Sequence, residues 1–223
     1  MELNNLLAQF PIFAHLDAGE ISALAASAVT RRYRNGDWIV HRGDVWPYLF
    51  IVESGEINVI KESMEGRSLI LETIRPAEIF WGLAFFIDDA PMPAALTTSQ
   101  ESKLVLWSRE GLLPLLIRNG RMSWELSRLM IRRMLRVSDI VEDLAFQPVS
   151  GRLAGLILDH YQGAEGDYVA RDITLDEMAA RIGSTREMVC RALYRFAEKG
   201  AIDINRTELK IKDRGMLENQ ANR

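Results

Sequence analysis

Within this 223-residue chain, Arg186, Glu187 and Arg191 combine two guanidiniums and a carboxylate over six consecutive positions. Those groups can read nucleobases. A guanidinium offers a two-pronged donor to guanine, and a carboxylate accepts from the amino group of cytosine. Thr174, Ser184 and Thr185 lie upstream with hydroxyls suited to phosphate contacts or helix caps. At helical spacing Arg186, Glu187 and Arg191 share one face, while Val189, Leu193 and Phe196 form the opposite apolar one. The plainer reading is a solvated helix steadied by Glu187 and Arg191 at i,i+4.

The elements around these residues favour the first reading. Thr174 can cap a helix, with Glu177 three residues on. Leu175, Met178, Ala179 and Ile182 give that helix one apolar face. Gly183 supplies a turn, and Ser184 or Thr185 caps a second helix. Helix, glycine turn and helix at this length form a helix-turn-helix, whose second helix meets base edges with its N-terminal part. From Arg181 to Arg214 there are nine Lys or Arg against five Asp or Glu, in a chain of net charge −4. The basic excess is therefore local, as a DNA-facing surface requires. Two apolar runs, Ala201–Ile204 and Glu208–Lys212, read as a small β-hairpin across Asn205 and Arg206.

Upstream the texture changes twice. A helix is expected over Val149–His160 after the break at Gln147–Pro148, followed by a loop marked by Gly163 and Gly166. From Leu112 to about Leu144 a single long helix is expected, with Pro114 in its first turn. It carries two apolar stripes: Leu126, Met130, Arg133 or Met134, Val137, Val141 and Leu144 on one side, and Trp124, Ile131 and Leu135 on another. Two stripes imply two packing partners. One is this chain's own sandwich, and the other is either the same helix of a second chain or a second layer of the same chain. Arg133, which interrupts one seam, and the absence of another long helix nearby favour the second chain. The first stripe is the expected dimer seam. Between Arg31 and Trp107, short apolar runs alternate with turn residues such as Asn35-Gly36 and Ser54-Gly55, the pattern of an antiparallel sandwich or barrel. The first thirty residues read as short helices, the second capped by Asp17 with Glu20.

Composition sets the outer bounds. Hydrophobic residues at 48% and charged residues at 26% suit a folded chain with a real core. The single cysteine, Cys190, excludes an internal disulfide and any iron–sulfur cluster built on several cysteines of one chain. Beside Val189 it reads as a small buried hydrophobe, with a redox switch the other reading. No early positive charge marks an export signal, since the first Lys or Arg is Arg31, and no apolar stretch reaches the roughly 18 residues of a membrane span. A cytoplasmic protein is expected, with no membrane partner.

The segments Gly183-Ser-Thr-Arg-Glu-Met-Val-Cys-Arg191, Lys199-Gly-Ala-Ile202, Tyr33-Arg-Asn-Gly-Asp37, Gly43-Asp44 and Val52-Glu-Ser-Gly-Glu-Ile57 resemble, in order and spacing, the Crp-Fnr family of bacterial transcription regulators. The resemblance covers nearly the whole chain and implies an α+β fold. A double-stranded β-helix (jelly-roll) sensory domain with N-terminal helices would span 1–111. A dimerisation helix would span 112–146 and a winged-helix DNA-binding domain 147–223. It also implies a homodimer on palindromic double-stranded DNA, with RNA polymerase as a further partner. Arg186, Glu187 and Arg191 would read half-sites similar to TGTGA, and Thr174 and Thr185 would contact phosphates.

The sensory pocket departs from the family pattern. Cyclic-nucleotide binders carry a Glu for the ribose and an Arg for the phosphate; here Gly82 and Pro93 fall at those places. A buried phosphate without its cation is strongly disfavoured, which argues against cyclic AMP in the usual mode. The stretch Phe80, Trp81, Gly82, Leu83, Phe85 and Phe86, with Pro93, is instead apolar and aromatic. It suits a pocket for haem or another small apolar effector, or simply a filled core. Haem needs an axial ligand, and His15, His41 and His160 are scattered, leaving Met92 or the terminal amine. A cupin-like enzyme would need clustered metal-binding histidines, and no catalytic constellation or metal site is apparent. A regulatory module whose output is not DNA binding would leave Gly183–Arg191 and the local basic excess unexplained.

Overall fold

The computed structural model describes residues 3–162 and 166–221; Gly163 and the terminal amine lie outside them. The chain divides into two compact units, one taking residues through Lys61 with Glu72–Arg136, the other Glu62–Leu71 with Val137 onward.

The first unit opens with helices α1 (Leu3–Leu7) and α2 (Ala18–Ala26). Asp17 and Glu20 form the expected reciprocal cap on α2. Eight strands follow: β1 (Val29–Tyr33), β2 (Trp38–Val40), β3 (Tyr48–Ser54), β4 (Ile57–Glu62), β5 (Ser68–Ile74), β6 (Ile79–Trp81), β7 (Ala95–Thr98) and β8 (Ser102–Ser108). They make two four-stranded sheets, ordered β1-β8-β3-β6 and β2-β7-β4-β5. This is the antiparallel sandwich expected from the spaced apolar runs, in the jelly-roll form that the family resemblance implies. Apolar runs in the sequence mark β2–β5, β7 and β8 and leave β1 and β6 unmarked.

Alternation in β3 and β8 places the core. Leu49, Ile51, Val105 and Trp107 join one cluster with Leu7, Phe10, Phe13 and Leu24 of the N-terminal segment. Phe50, Val52, Leu104 and Leu106, on the opposite side of the same two strands, are also almost fully buried. A sheet covered on both faces reads as a continuous apolar run, as Leu49–Val52 does. The Trp107 indole N–H donates to the Leu24 carbonyl at 2.8 Å, so the ring's one polar atom is satisfied.

The expected single helix after the roll is two: α3 (Arg109–Arg118) and α4 (Gly120–Phe146). Asn119 makes the break. Its extended backbone ends α3, and its side-chain oxygen accepts from the Met122 N–H at 3.0 Å in the first turn of α4. Pro114 consequently falls in the second turn of α3, not the first turn of a longer helix.

The second unit holds α5 (Val149–His160), capped at Pro148 where the boundary was expected, then β9 (Val169–Ala170), α6 (Leu175–Arg181), α7 (Arg186–Glu198), β10 (Ile202–Ile204), β11 (Glu208–Ile211) and α8 (Arg214–Ala221). The expected hairpin is the β10–β11 pair, to which β9 adds a third strand through Glu208↔Ala170 and Leu209↔Val169. Its core joins Leu153 and Ile157 of α5, Met178 of α6, Val189, Leu193 and Phe196 of α7, Leu209 of β11 and Leu217 of α8. No helix among the described residues is long and apolar enough to cross a membrane.

Candidate nucleic-acid interface

Helices α6 and α7 are set by two threonine caps. Thr174 accepts from the Glu177 N–H at 3.1 Å, and Thr185 accepts from the Met188 N–H at 3.3 Å. Each cap uses a lone pair of the hydroxyl oxygen, so the hydroxyl proton stays available to a phosphate. The cap of α7 is therefore Thr185; Ser184 sits in the turn, its N–H bonded to the Ala179 carbonyl at 2.9 Å. Gly183 takes φ +61, and a Cβ there would lie 2.6 Å from a Leu144 methyl carbon, so both the turn and the close approach need glycine. Glu177 bonds Arg181 at 2.7 Å instead of completing a reciprocal cap.

Burial of Val189, Ala192, Leu193 and Phe196 fixes how α7 is rotated. The opposite side then presents Arg186, Glu187 and Arg191 to solvent, together with Arg195 and Tyr194. The trio is brought onto one exposed face. Arg191 pairs with Glu187, and Arg186 pairs with Asp176 of α6 at 3.0 Å. Sequence reasoning missed Asp176, which stands ten positions before Arg186 and meets it only across the turn. It also placed Cys190 wrongly: the thiol is exposed. Position 190 falls between the inner positions 189 and 192–193, about 100° from Val189 around the helix, and so turns outward.

On α4 the expected seam residues separate. Leu126 is 3% exposed and belongs to the core of the roll unit, with Met130 half-buried against it. Those two serve the chain's own packing. Met134, Val137 and Val141 are exposed, and Leu144 is exposed in part while packing against Gly183. Trp124, Ile131 and Leu135, the second stripe, are also exposed. A 27-residue helix cannot keep one straight stripe on a core that ends partway along it.

The residues of the aromatic segment differ widely in burial. Strand β6 ends at Trp81, and the short 3-10 turn after it sends neighbouring residues in different directions. Phe85 is fully buried with the N-terminal helices, Leu83 is exposed, and Pro93 is exposed. Gly82 is pressed against Trp46: a Cβ there would lie 1.9 Å from the Trp46 carbonyl oxygen. Phe80 and Trp81 are covered by Arg133 of α4, whose guanidinium carbon lies 4.7 and 4.5 Å from their ring centres. Arg133 pairs with Glu72 at 3.2 Å and donates to the Ile79 carbonyl; Arg136 reaches the same Glu72 oxygen at 2.8 Å. Burial lowers the Arg133 pKa, and Glu72 opposes that shift. The candidate axial ligands are dispersed. His41 stacks on Trp38, His160 bonds Asp172 at 2.8 Å in the other unit, and Met92 is buried in the roll.

The chain matches two domain models, a cyclic nucleotide-binding domain over residues 30–119 and a Crp-like helix-turn-helix domain over 151–220. A CRP-like cAMP-activated global transcriptional regulator from Mycobacterium tuberculosis is 28% identical over 98% of this chain and 100% of its own. The cyclic AMP receptor protein of Thermus thermophilus is 27% identical over 93% and 95%. The crystal structure of a Crp-Fnr family regulator from Eubacterium rectale superposes with a TM-score of 0.80 at 20% identity, covering 96% of this chain and 99% of that one. The jelly roll, the long helix and the winged helix-turn-helix thus occur in the order of these regulators, and the chain belongs to the Crp-Fnr family of transcription regulators.

Proposed function

We propose that this regulator binds palindromic promoter DNA as a homodimer, reading half-sites similar to TGTGA through Arg186, Glu187 and Arg191. The exposed trio, flanked by two threonine caps with free hydroxyl protons, carries the reading. Arg186 and Arg191 each take a guanine and Glu187 a cytosine; Thr174, Ser184 and Thr185 position the helix on phosphates. Two such helices in a symmetric dimer need half-sites one helical turn apart, about 34 Å. The dimer seam is the exposed side of α4, Trp124, Ile131, Met134, Leu135 and Val141, not Leu126 and Met130. The protein works in the cytoplasm and engages RNA polymerase at the promoter.

The two relatives named above are described as cAMP-activated or as a cyclic AMP receptor. In this chain Gly82 leaves no room for a ribose-binding side chain, and Arg133 with Glu72 already covers Phe80 and Trp81. These features argue against a cyclic nucleotide held in the family's usual way, and the dispersed His41, His160 and Met92 give haem no axial ligand at the aromatic segment. The test of the DNA reading is a mobility shift on a duplex with two inverted TGTGA half-sites and on a scrambled duplex of equal length. Preferential retardation of the first, lost in Ile131→Glu together with the dimer, is expected. Equal affinity for both duplexes would refute sequence-specific reading.

A further inference from the structure

We infer that Asp176 is a specificity-determining residue: it holds the Arg186 guanidinium in the orientation that reads guanine. The inference rests on the base-reading role of Arg186 proposed above. Asp176 lies in the first turn of α6 and Arg186 opens α7, so the turn brings them together across the interface. Their side chains meet at 3.0 Å, Asp176 Oδ2 accepting from Arg186 Nη1, with 68% and 63% of each exposed.

An acidic side chain here is unexpected. It stands two residues from Thr174, beside the hydroxyls suited to phosphate, where DNA repels a negative charge. An acid in the first turn does favour the helix dipole, but Glu177 already serves that purpose in the same turn. An exposed ion pair contributes little to folding stability. The effect of Asp176 is therefore sought in what it does to Arg186.

A guanidinium carries five N–H donors in a planar fork. Asp176 occupies Nη1, which leaves Nη2 and Nε for other acceptors. A guanine can take two of the remaining donors while the carboxylate keeps its own. An arginine held this way loses less side-chain freedom on meeting its base. It is also partly neutralised, so it gains less from a phosphate offered by any sequence. Both consequences widen the gap between specific and non-specific binding.

The test uses the full-length protein and three variants, Asp176→Asn, Asp176→Glu and Arg186→Ala. Sites are selected from random DNA, and affinity is measured on the preferred site and on a scrambled duplex. Asp176→Asn should bind the preferred site about three- to ten-fold more weakly, a fraction of a lost bidentate contact. It should bind the scrambled duplex slightly more tightly, because one repelled charge is gone. The preference should relax at the base pair read by Arg186 and hold at those read by Glu187 and Arg191. Asp176→Glu, which keeps the charge on a longer arm, should recover part of the loss. A merely repulsive Asp176 predicts tighter binding of Asp176→Asn to every sequence with an unchanged logo, and that result overturns the inference. If Arg186→Ala leaves the logo intact, the base-reading role itself fails; if Arg186→Ala flattens one position and Asp176→Asn does not, only the role of Asp176 fails.

Discussion

Two arginine–glutamate pairs, one in each compact unit of this regulator, have opposite properties because their surroundings differ. Arg191 and Glu187 on the outer face of α7 are 59% and 71% exposed. Arg133 and Glu72 in the roll unit are 13% and 12% exposed, with two aromatic rings against the guanidinium. The first pair loses almost nothing when opened, as the proposed base reading by its two members requires. The second has given up its hydration and has few groups left to turn to; Arg133 Nη1 is already buried without a partner. The same two side-chain types form an open, solvated pair in one unit and a covered pair against two aromatic rings in the other. The first arrangement suits the base reading proposed for α7; the second leaves Phe80 and Trp81 covered by a side chain of the same chain.

That contrast is sharpest in stability. Glu72→Gln strands a buried guanidinium and should cost about 3–5 kcal/mol, whereas Glu187→Gln should cost less than about 1 kcal/mol. Urea unfolding of the two variants measures both. Replacing both members, Glu72→Leu with Arg133→Met, should recover most of the loss because no buried lone charge remains and Arg136, which also pairs with Glu72, is exposed. Equal midpoints for Glu72→Gln and Glu187→Gln would mean the inner pair is as solvated as the outer one.

Gly82 offers a second way to test the filled pocket. Gly82→Ala sets a methyl carbon against the Trp46 carbonyl, and the backbone shift should cost about 1–3 kcal/mol. Calorimetric titration of wild type with cyclic AMP should show no tight stoichiometric binding. Tight binding would mean the phosphate finds a cation outside the Pro93 position, with Arg75 and Arg42 the first to substitute.

The smallest effect is confined to the second unit. Burial, aided by the Asp172 carboxylate, raises the Tyr161 hydroxyl to about 12 from 10.0. The unfolded chain then releases this proton before the folded one does. Stability from this group is complete below pH about 10 and is lost as pH rises toward 12. Tyr161→Phe should flatten that alkaline loss, read from melting temperatures across the same range. At neutral pH it should change stability by no more than about 1 kcal/mol, the net contribution of a single hydroxyl hydrogen bond.

Much of this architecture was legible because it is local. The caps at Asp17, Thr174 and Thr185, the turn at Gly183 and the apolar face of Val189, Leu193 and Phe196 all depend on neighbours within one or two turns. Strand β1 went unread because Thr30, Arg31 and Arg32 form an exposed edge with no apolar alternation. Strand β6 was hidden inside an aromatic run that suggested a pocket instead. The break at Asn119-Gly120 was written in the sequence, but the stripes on either side of it outweighed the signal. Arg133 fell within the expected dimer stripe, because its partner Glu72 lies 61 positions away and no periodicity reports such a distance. Burial of Leu126 by the roll was invisible for the same reason: an apolar stripe shows that something covers it, not what.

Selection of sites from random DNA, with wild type and Arg186→Ala side by side, tests the central claim most directly. Wild type should enrich an inverted repeat of half-sites similar to TGTGA, one helical turn or about 34 Å apart. Arg186→Ala should lose information at one base pair in each half-site and bind the original site more weakly by about 1–3 kcal/mol. A wild-type logo without twofold symmetry, or one that Arg186→Ala leaves unchanged at every position, would contradict an α7 that reads bases from a symmetric dimer.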